Sequence, residues 1–114
     1  MIKDDRIFLD HINGSLEKIN FYSKNLHLSD FISNTMIQDA LIRQFEVIGE
    51  ASKNLTKTLK SNYPEVDWAK IAGMRNKLIH EYFDIDLNIL WEAIHVDVPV
   101  LEALVNKIIK DMEK

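Results

Sequence analysis

The fold of this 114-residue chain is decided by residues 37–55, which read IQDALIRQFEVIGEASKNL. Apolar or small residues recur here every three or four positions, at Ile37, Leu41, Phe45, Ile48, Ser52 and Leu55. This spacing matches the 3.6-residue turn of an α-helix and places the six side chains on one face. Charged residues of the same stretch, Glu50 among them, fall outward. The pattern therefore predicts an amphipathic helix.

The neighbouring residues extend this stretch into one long predicted helix over residues 31–60. Ser29 or Asp30 is expected to cap its N-terminus, because short polar side chains accept hydrogen bonds from the free N–H groups of a first turn. Pro64 is expected to end the helical region, because the residue before a proline avoids helical geometry. Gly49 lies beside the apolar stripe, where its missing side chain would let a neighbouring helix approach closely.

Three further helices are predicted around this one. The first helix covers residues 4–22, and its apolar face consists of Leu9, Ile12, Leu16 and Ile19. The next helix after the central one begins with Asp67 as its N-cap and continues to residue 83, with an interruption at Gly73, and the last helix follows an N-cap at Asp86. The last helix is expected to kink at Pro99, which lacks the N–H of one backbone hydrogen bond. Short connections join these segments, so that the predicted fold class is an all-α, antiparallel four-helix bundle.

The composition agrees with one domain that spans residues 1–114. Three glycines and two prolines are sparse for an all-β chain, which needs turn residues at short intervals. The interruption expected at Gly73 would leave an extra short helix near residues 67–72. The wide apolar stripes predict that two bundles pack together as a dimer.

Several kinds of site and location are not expected. The chain has no cysteine, which excludes disulfide bonds and thiolate metal ligands. Its four histidines are far apart in the sequence, so that neither a metal nor another cofactor is predicted. The polar N-terminus and the lack of an apolar run of about 18 residues predict a cytoplasmic protein with no membrane partner.

Charge is unevenly distributed along the chain. The net charge is −4, but residues 51–80 contain six basic and two acidic residues. A basic middle on an acidic body permits a local phosphate site, although the acidic net charge argues against nucleic-acid binding over the whole surface. Lys53, Lys70 and Lys77 are the candidate RNA-binding residues within this basic part.

The residues with the clearest chemical character lie in positions 73–83, GMRNKLIHEYF. On a helical wheel Arg75 falls in the middle of the apolar face, which comprises Ile71, Leu78, Ile79, Tyr82 and Phe83. A buried guanidinium is costly unless it is paired and hydrogen-bonded. The position therefore indicates an internal Arg–carboxylate pair, a buried stem whose charged head reaches water, or a functional anion site.

Asn76 and His80 share a second face of the same predicted helix, and Tyr82 returns to within about 20° of Arg75. Arg75 and His80 themselves diverge by about 140° on a straight helix and cannot easily contact one atom. A common site would need either a distortion at Gly73 or a two-fold axis. Such an axis would bring His80 of one subunit to Arg75 of the other.

Together these groups suit metal-independent cleavage of RNA. An arginine fork binds phosphate oxygens and stabilises the charge that builds up at phosphorus. A histidine near neutral pKa can take the proton of a ribose 2′-hydroxyl or give one to a leaving oxygen. Asn76 could hold the imidazole or a phosphate oxygen. DNA lacks the 2′-hydroxyl nucleophile and should not be cleaved.

The spacing Arg75-x4-His80-x-Tyr82, with Asn76 after the arginine, resembles the motif of the HepT toxins. These belong to the higher eukaryotes and prokaryotes nucleotide-binding (HEPN) superfamily. Other parts of the chain resemble the same family, at residues 39–51, Trp68, residues 73–80, Trp91 and residues 97–99. The similarity covers essentially the whole chain, and several motifs in the right order make it more specific than the Arg–His spacing alone.

The resemblance implies a helical bundle that forms a homodimer, with two motifs lining a shared cleft. Arg75 and His80 would be the ribonuclease pair and Asn76 their polar support, with RNA as the substrate and tRNA as a candidate. It also implies a type VII-like toxin–antitoxin pair. The partner would be a minimal nucleotidyltransferase antitoxin that neutralises the toxin by transferring AMP to Tyr82, where added bulk and negative charge would block RNA.

Other functions fit the same residues. The chain could be a non-catalytic subunit that holds a nucleotide or substrate for a two-component nucleotidyltransferase. It could also be a structural helical dimer in which Arg75 is internally paired and His80 is an ordinary surface residue. Tyr82 could then simply close the edge of the core.

Overall fold

The computed structural model describes residues 4–80 and 85–114. Its seven α-helices are α1 (Asp5–Ser23), α2 (Leu28–Ser33), α3 (Thr35–Lys53), α4 (Lys57–Asn62), α5 (Trp68–His80), α6 (Leu87–Glu92) and α7 (Val98–Met112), and a π-helical turn (Ala93–Asp97) joins α6 to α7. The described part contains no strand, and four of its helices are long. The predicted all-α bundle is therefore confirmed. None of the described helices has the length and apolar character needed to cross a membrane.

Helix α3 lies at the centre of the packing. It packs against α1 on one side and α5 on another, and α1 also packs against α7. The apolar stripe predicted for α3 is buried from Leu41 to Leu55, and the core of α1 consists of the predicted Leu9, Ile12, Leu16 and Ile19. Burial of these stripes supplies most of the favourable free energy of folding.

The prediction of a single helix over residues 31–60 is wrong, because the helix is interrupted at two positions. The first break is at Asn34, whose backbone is extended (φ −113°, ψ 94°) and whose side chain accepts a hydrogen bond from Ile37 N–H at 3.1 Å. A short polar side chain that bonds to nearby backbone competes with helix continuation. The N-cap predicted at Ser29 or Asp30 is also wrong, since α2 already begins at Leu28.

The second break lies at residues 54–56 and depends on a distant contact. Thr56 Oγ1 accepts a hydrogen bond from Leu59 N–H at 3.2 Å and so caps α4. The Asp5 carboxylate, from the first turn of α1, accepts hydrogen bonds from Thr56 N–H at 2.8 Å and from its hydroxyl at 2.7 Å. These contacts hold Thr56 in the extended conformation that separates α3 from α4.

Helix α5 runs without interruption through Gly73, so that the predicted break and the extra helix at 67–72 are wrong. One glycine costs a helix about 1 kcal/mol relative to alanine, which is too little to break a segment packed against α3. The predicted cap is confirmed, since the Asp67 carboxylate accepts a hydrogen bond from Lys70 N–H at 3.0 Å. The end predicted at Phe83 lies outside the described residues.

The start of α5 is anchored to the rest of the bundle. Trp68 Nε1 donates a hydrogen bond to the Tyr63 carbonyl at 3.1 Å, and the Tyr63 hydroxyl donates one to Asp111 of α7 at 2.8 Å. This hydrogen bond to a carboxylate raises the pKa of Tyr63. The two contacts fix the first turn of the helix that carries the candidate catalytic residues.

The kink predicted at Pro99 takes a different form in the structure. A π-helical turn over residues 93–97 precedes the proline, and Val98 N–H bonds to the Ala93 carbonyl five residues back. The inserted residue shifts the hydrogen-bond ladder just before the position where proline has no N–H to donate. The N-cap predicted at Asp86 is confirmed, because its carboxylate accepts from Asn88 N–H at 2.9 Å.

The close approach predicted at Gly49 is confirmed, and the neighbour is Arg75 of α5. A Cβ atom added to Gly49 would overlap the Cβ and Cγ of Arg75 and would lie 3.5 Å from its Cα. These atoms are close to the backbone and cannot swing away as the end of a flexible side chain could. The crossing of α3 and α5 therefore requires glycine at this position.

We expect Gly49→Ala to destabilise the protein by about 1–3 kcal/mol, because overpacking forces two helices apart. Thermal unfolding followed by circular dichroism measures this as a lower Tm. Gly14→Ala is the matched control, since nothing lies within 4 Å of its added Cβ and alanine favours a helix by up to about 1 kcal/mol. Equal effects of the two substitutions would contradict the close crossing.

Candidate active site

Arg75 lies where α5 crosses α3, with its stem against Gly49. Its side chain is only 26% exposed, and the guanidinium reaches the solvent edge of the crossing. Nη2 donates a hydrogen bond to Glu50 Oε2 at 2.8 Å, and Nη1 donates one to Asn76 Oδ1 at 3.2 Å. Two of the arrangements that the sequence allowed, a carboxylate pair and a buried stem with an accessible head, thus occur together.

The third nitrogen of the guanidinium has a different environment. Arg75 Nε is buried and has no acceptor in the part of the chain that the structure describes. A buried donor without an acceptor costs about 1–3 kcal/mol, and a partly exposed ion pair such as Arg75–Glu50 returns only about 1 kcal/mol or less. The arginine therefore contributes little or nothing to the stability of the folded chain, which is expected of a residue kept for function.

Glu50 is the residue of this site that the sequence pattern did not identify. The helical wheel placed it on the outward face of α3, which is correct to the extent that it is 54% exposed. Its carboxylate nevertheless turns to α5, because it follows Gly49 and the two helices are closest there. A charged residue next to a glycine on a packing face was the only signal available.

The buried face predicted for α5 is correct only in part. Leu78 is buried and Ile71 is half-buried, but Ile79 is 40% exposed and not buried as expected. Among the described helices, α3 is the one against which α5 makes its main contact, so that a narrower strip of the α5 surface is covered than the helical wheel suggested. Tyr82, the candidate acceptor of AMP, lies outside the described residues.

His80 is the last residue of α5 and is exposed. On an unbroken helix it lies about 140° around and about 7.5 Å along the axis from Arg75. Asn76 is exposed as well and lies on the His80 side, although its side-chain oxygen bonds to Arg75. The structure therefore brings together Arg75, Asn76 and Glu50, and within one chain it keeps His80 apart from Arg75.

The three candidate RNA-binding lysines are all exposed, but their surroundings differ. Lys70 Nζ donates a hydrogen bond to Asp97 at 2.8 Å, which raises the pKa of Lys70 and compensates its charge. Lys77 lies two turns further along the same side of α5, and Lys53 ends α3. Lys77 thus lies on the exposed side of the helix that also carries Asn76 and His80.

A groove of about 460 Å³ lies between α3, α5 and the α6–α7 region. Its floor is apolar and comprises Phe45, Ile48, Ile71, Met74, Leu101 and Leu104. The lining includes the candidate RNA-binding residues Lys70 and Lys77 but not Arg75, Asn76 or His80, so that the groove borders the candidate site without containing its proposed catalytic residues. Among residues 4–80 and 85–114 no three histidine or acidic side chains cluster closely enough to hold a metal ion.

The fold and the site define an all-α protein that carries a half-buried arginine and an exposed histidine on one helix, a pair suited to phosphate chemistry. The model of the family described as "Ribonuclease HepT-like" matches residues 12–108. The chain therefore belongs to the HepT-like ribonuclease family, as its motifs indicated.

Individual relatives agree with this assignment. The chain is 36% identical over 110 residues to "Probable ribonuclease HepT" of Thermococcus cleftensis, covering 96% of this chain and 100% of that one. It is 39% identical over 111 residues to a "Putative RNase" of Methanocaldococcus jannaschii, covering 97% and 92% of the two chains.

A further relative is longer than this chain. The protein named "Gamma-glutamylcyclotransferase and putative RNase" of Methanocaldococcus jannaschii is 40% identical over 114 residues. The match covers all of this chain and 51% of that relative, so that this chain spans about half its length. No solved structure matches the chain.

Proposed function

We propose that this protein is the toxin of a type VII-like toxin–antitoxin pair and that it cleaves RNA without a metal ion. Arg75 and His80 are its catalytic residues, Asn76 supports Arg75, and Lys77 and Lys53 attract the RNA backbone. The observation that carries the proposal is the guanidinium of Arg75, which is held at the solvent edge of the α3–α5 crossing by Glu50 and Asn76. The ribonuclease names of the relatives support the reaction class.

The proposed reaction is an internal displacement at phosphorus. His80 takes the proton of a ribose 2′-hydroxyl while that oxygen attacks the adjacent phosphate. The bond from phosphorus to the 5′-oxygen breaks, the leaving oxygen takes a proton from water, and His80 returns its proton to the solvent, which leaves a 2′,3′-cyclic phosphate and a free 5′-hydroxyl. Arg75 donates hydrogen bonds to the non-bridging oxygens and stabilises their developing negative charge.

The geometry of α5 supports a homodimeric site. The helix is unbroken at Gly73, so that the distortion that could bring both residues to one atom within a chain does not occur. A two-fold axis would place His80 of one subunit beside Arg75 of the other and would create two equivalent sites. The exposed position of His80 at the end of α5 is compatible with such a contact.

The proposed partner is a minimal nucleotidyltransferase antitoxin that transfers AMP to Tyr82. The support for this step is the sequence spacing, which places Tyr82 within about 20° of Arg75 on a continuing helix. An AMP phosphate there would compete for the guanidinium and add bulk beside the cleft. The cytoplasmic location stays a prediction from the sequence.

One observation favours a second candidate function, a purely structural helical protein. The Arg75–Glu50 pair, at 2.8 Å, is the internal partner that this alternative requires. Removing either partner would then lower stability, whereas His80 would have no role. Substitution of His80 therefore separates the two functions.

We expect the purified protein to cleave single-stranded RNA or total tRNA in EDTA, and His80→Ala to lose at least about 100-fold in rate, the usual loss for a general acid or base. Its Tm should not change, because His80 is exposed. His11→Ala is the matched control, an exposed histidine on α1.

Two results would count against the proposal. Cleavage that survives in His80→Ala would remove His80 from the reaction. No cleavage by the parent protein, with Tyr82 shown by intact mass to be unmodified, would favour the non-catalytic nucleotide- or substrate-binding subunit of a two-component nucleotidyltransferase.

The dimeric site is tested with two inactive variants, Arg75→Ala and His80→Ala, which are mixed in equal amounts, unfolded and refolded together. Half of the dimers are then mixed, and each mixed dimer contains one intact pair of residues from opposite subunits, which should restore about one quarter of the parent activity. If mixed dimers form but stay inactive, Arg75 and His80 act within one chain.

The modification is tested with the partner nucleotidyltransferase and ATP. We expect the intact mass to rise by one or more AMP units while RNA cleavage falls, because the added phosphate occupies Arg75. Tyr82→Phe should keep its mass and its activity. Tyr22→Phe, a half-buried tyrosine on α1, is the control, and an AMP adduct that persists in Tyr82→Phe would place the acceptor elsewhere.

A further inference from the structure

Glu50 contacts Arg75 from a different helix, and the contact depends on the tight crossing of α3 and α5. Gly49 allows the Arg75 stem to lie directly against α3. The next residue of α3 then brings its carboxylate to 2.8 Å from Nη2. Among the described residues, Glu50 is the carboxylate that forms an ion pair with this guanidinium.

The pair leaves part of the guanidinium free for a ligand. Each terminal nitrogen of an arginine carries two N–H groups. Glu50 accepts from Nη2 and Asn76 accepts from Nη1, so that one N–H remains on each terminal nitrogen. Nε is buried, which turns the Nε edge away from solvent. The accessible donors are therefore the two remaining N–H groups of Nη1 and Nη2.

We propose that Glu50 is a positioning residue, which holds the guanidinium of Arg75 so that Nη1 and Nη2 face the scissile phosphate of RNA. This proposal rests on the proposed ribonuclease function. An arginine has a flexible side chain with many rotamers, and an interaction that selects one of them before the substrate binds raises the rate of the chemical step. Asn76, which is neutral and lies on the same helix, holds the other end at the longer distance of 3.2 Å.

The same carboxylate also opposes the binding of RNA. Glu50 is 54% exposed, so that its negative charge faces the side from which a phosphate would approach. A positioning role and a repulsive role therefore change different kinetic constants. Loss of positioning lowers kcat, whereas loss of repulsion lowers KM.

The test compares Glu50→Ala and Glu50→Gln. Glu17→Gln, at an exposed position of α1, controls for the change in net charge. Steady-state cleavage of a single-stranded RNA in EDTA gives kcat and KM. We expect Glu50→Ala to lower kcat at least about tenfold with KM equal or lower. Glu50→Gln should keep kcat within about threefold, because its amide oxygen accepts the same hydrogen bond.

Other kinetic outcomes would overturn the proposal. If Glu50→Ala keeps its kcat and only lowers KM, Glu50 merely competes with phosphate. If both variants lose kcat and also lower the Tm to the same extent, the residue maintains the helix crossing and does not position Arg75.

A measurement without RNA separates this proposal from the ribonuclease function. In ¹⁵N–¹H NMR spectra the buried Nε–H of Arg75 should give a distinct signal in the parent protein and in Glu50→Gln, and the signal should shift or broaden in Glu50→Ala. An unchanged signal in Glu50→Ala would refute positioning. A parent protein that shows this contrast but cleaves no RNA would refute the proposed function and leave the orientation of Arg75 established.

Discussion

The close crossing of α3 and α5 at Gly49 is the constraint on which the rest of the site depends. With no side chain at this position, α5 approaches until the stem of Arg75 rests on the backbone of α3. The arginine is thereby half-buried, and its charged end reaches the surface beside Glu50. A wider crossing would leave Arg75 free in solvent and would lose the ion pair with α3. One small residue thus determines both helix packing and the position of the charge.

The continuity of α5 has an equally direct consequence for function. Because no break occurs at Gly73, Arg75 and His80 keep the angular separation of an ideal helix, about 140°. One chain therefore carries the two proposed catalytic groups on different sides of one helix. This geometry is the reason for proposing a homodimer, in which a second copy would present the complementary group.

The comparison of sequence and structure shows which features local patterns can report. Periodicity identified the apolar stripes of α1 and α3, and residue type identified the capping residues Asp67 and Asp86. Both kinds of feature depend on residues within one or two helical turns. Periodicity did not predict the break in the helix at Thr56, because this break depends on the carboxylate of Asp5, which lies 51 positions earlier in the sequence. The motif likewise identified Arg75, Asn76 and His80 as candidates but did not identify Glu50, whose partner is 25 positions away.

By itself the sequence determined the helical class of this protein, the composition of its buried stripes and its membership of the HepT-like ribonuclease family. These features are encoded by residue types at fixed spacings, which are independent of how the helices meet. Only the tertiary structure decided that Glu50 pairs with Arg75 and that Asp97 neutralises Lys70. The physical reason is that an ion pair needs two side chains within about 4 Å, and that distance is set by the packing of whole helices.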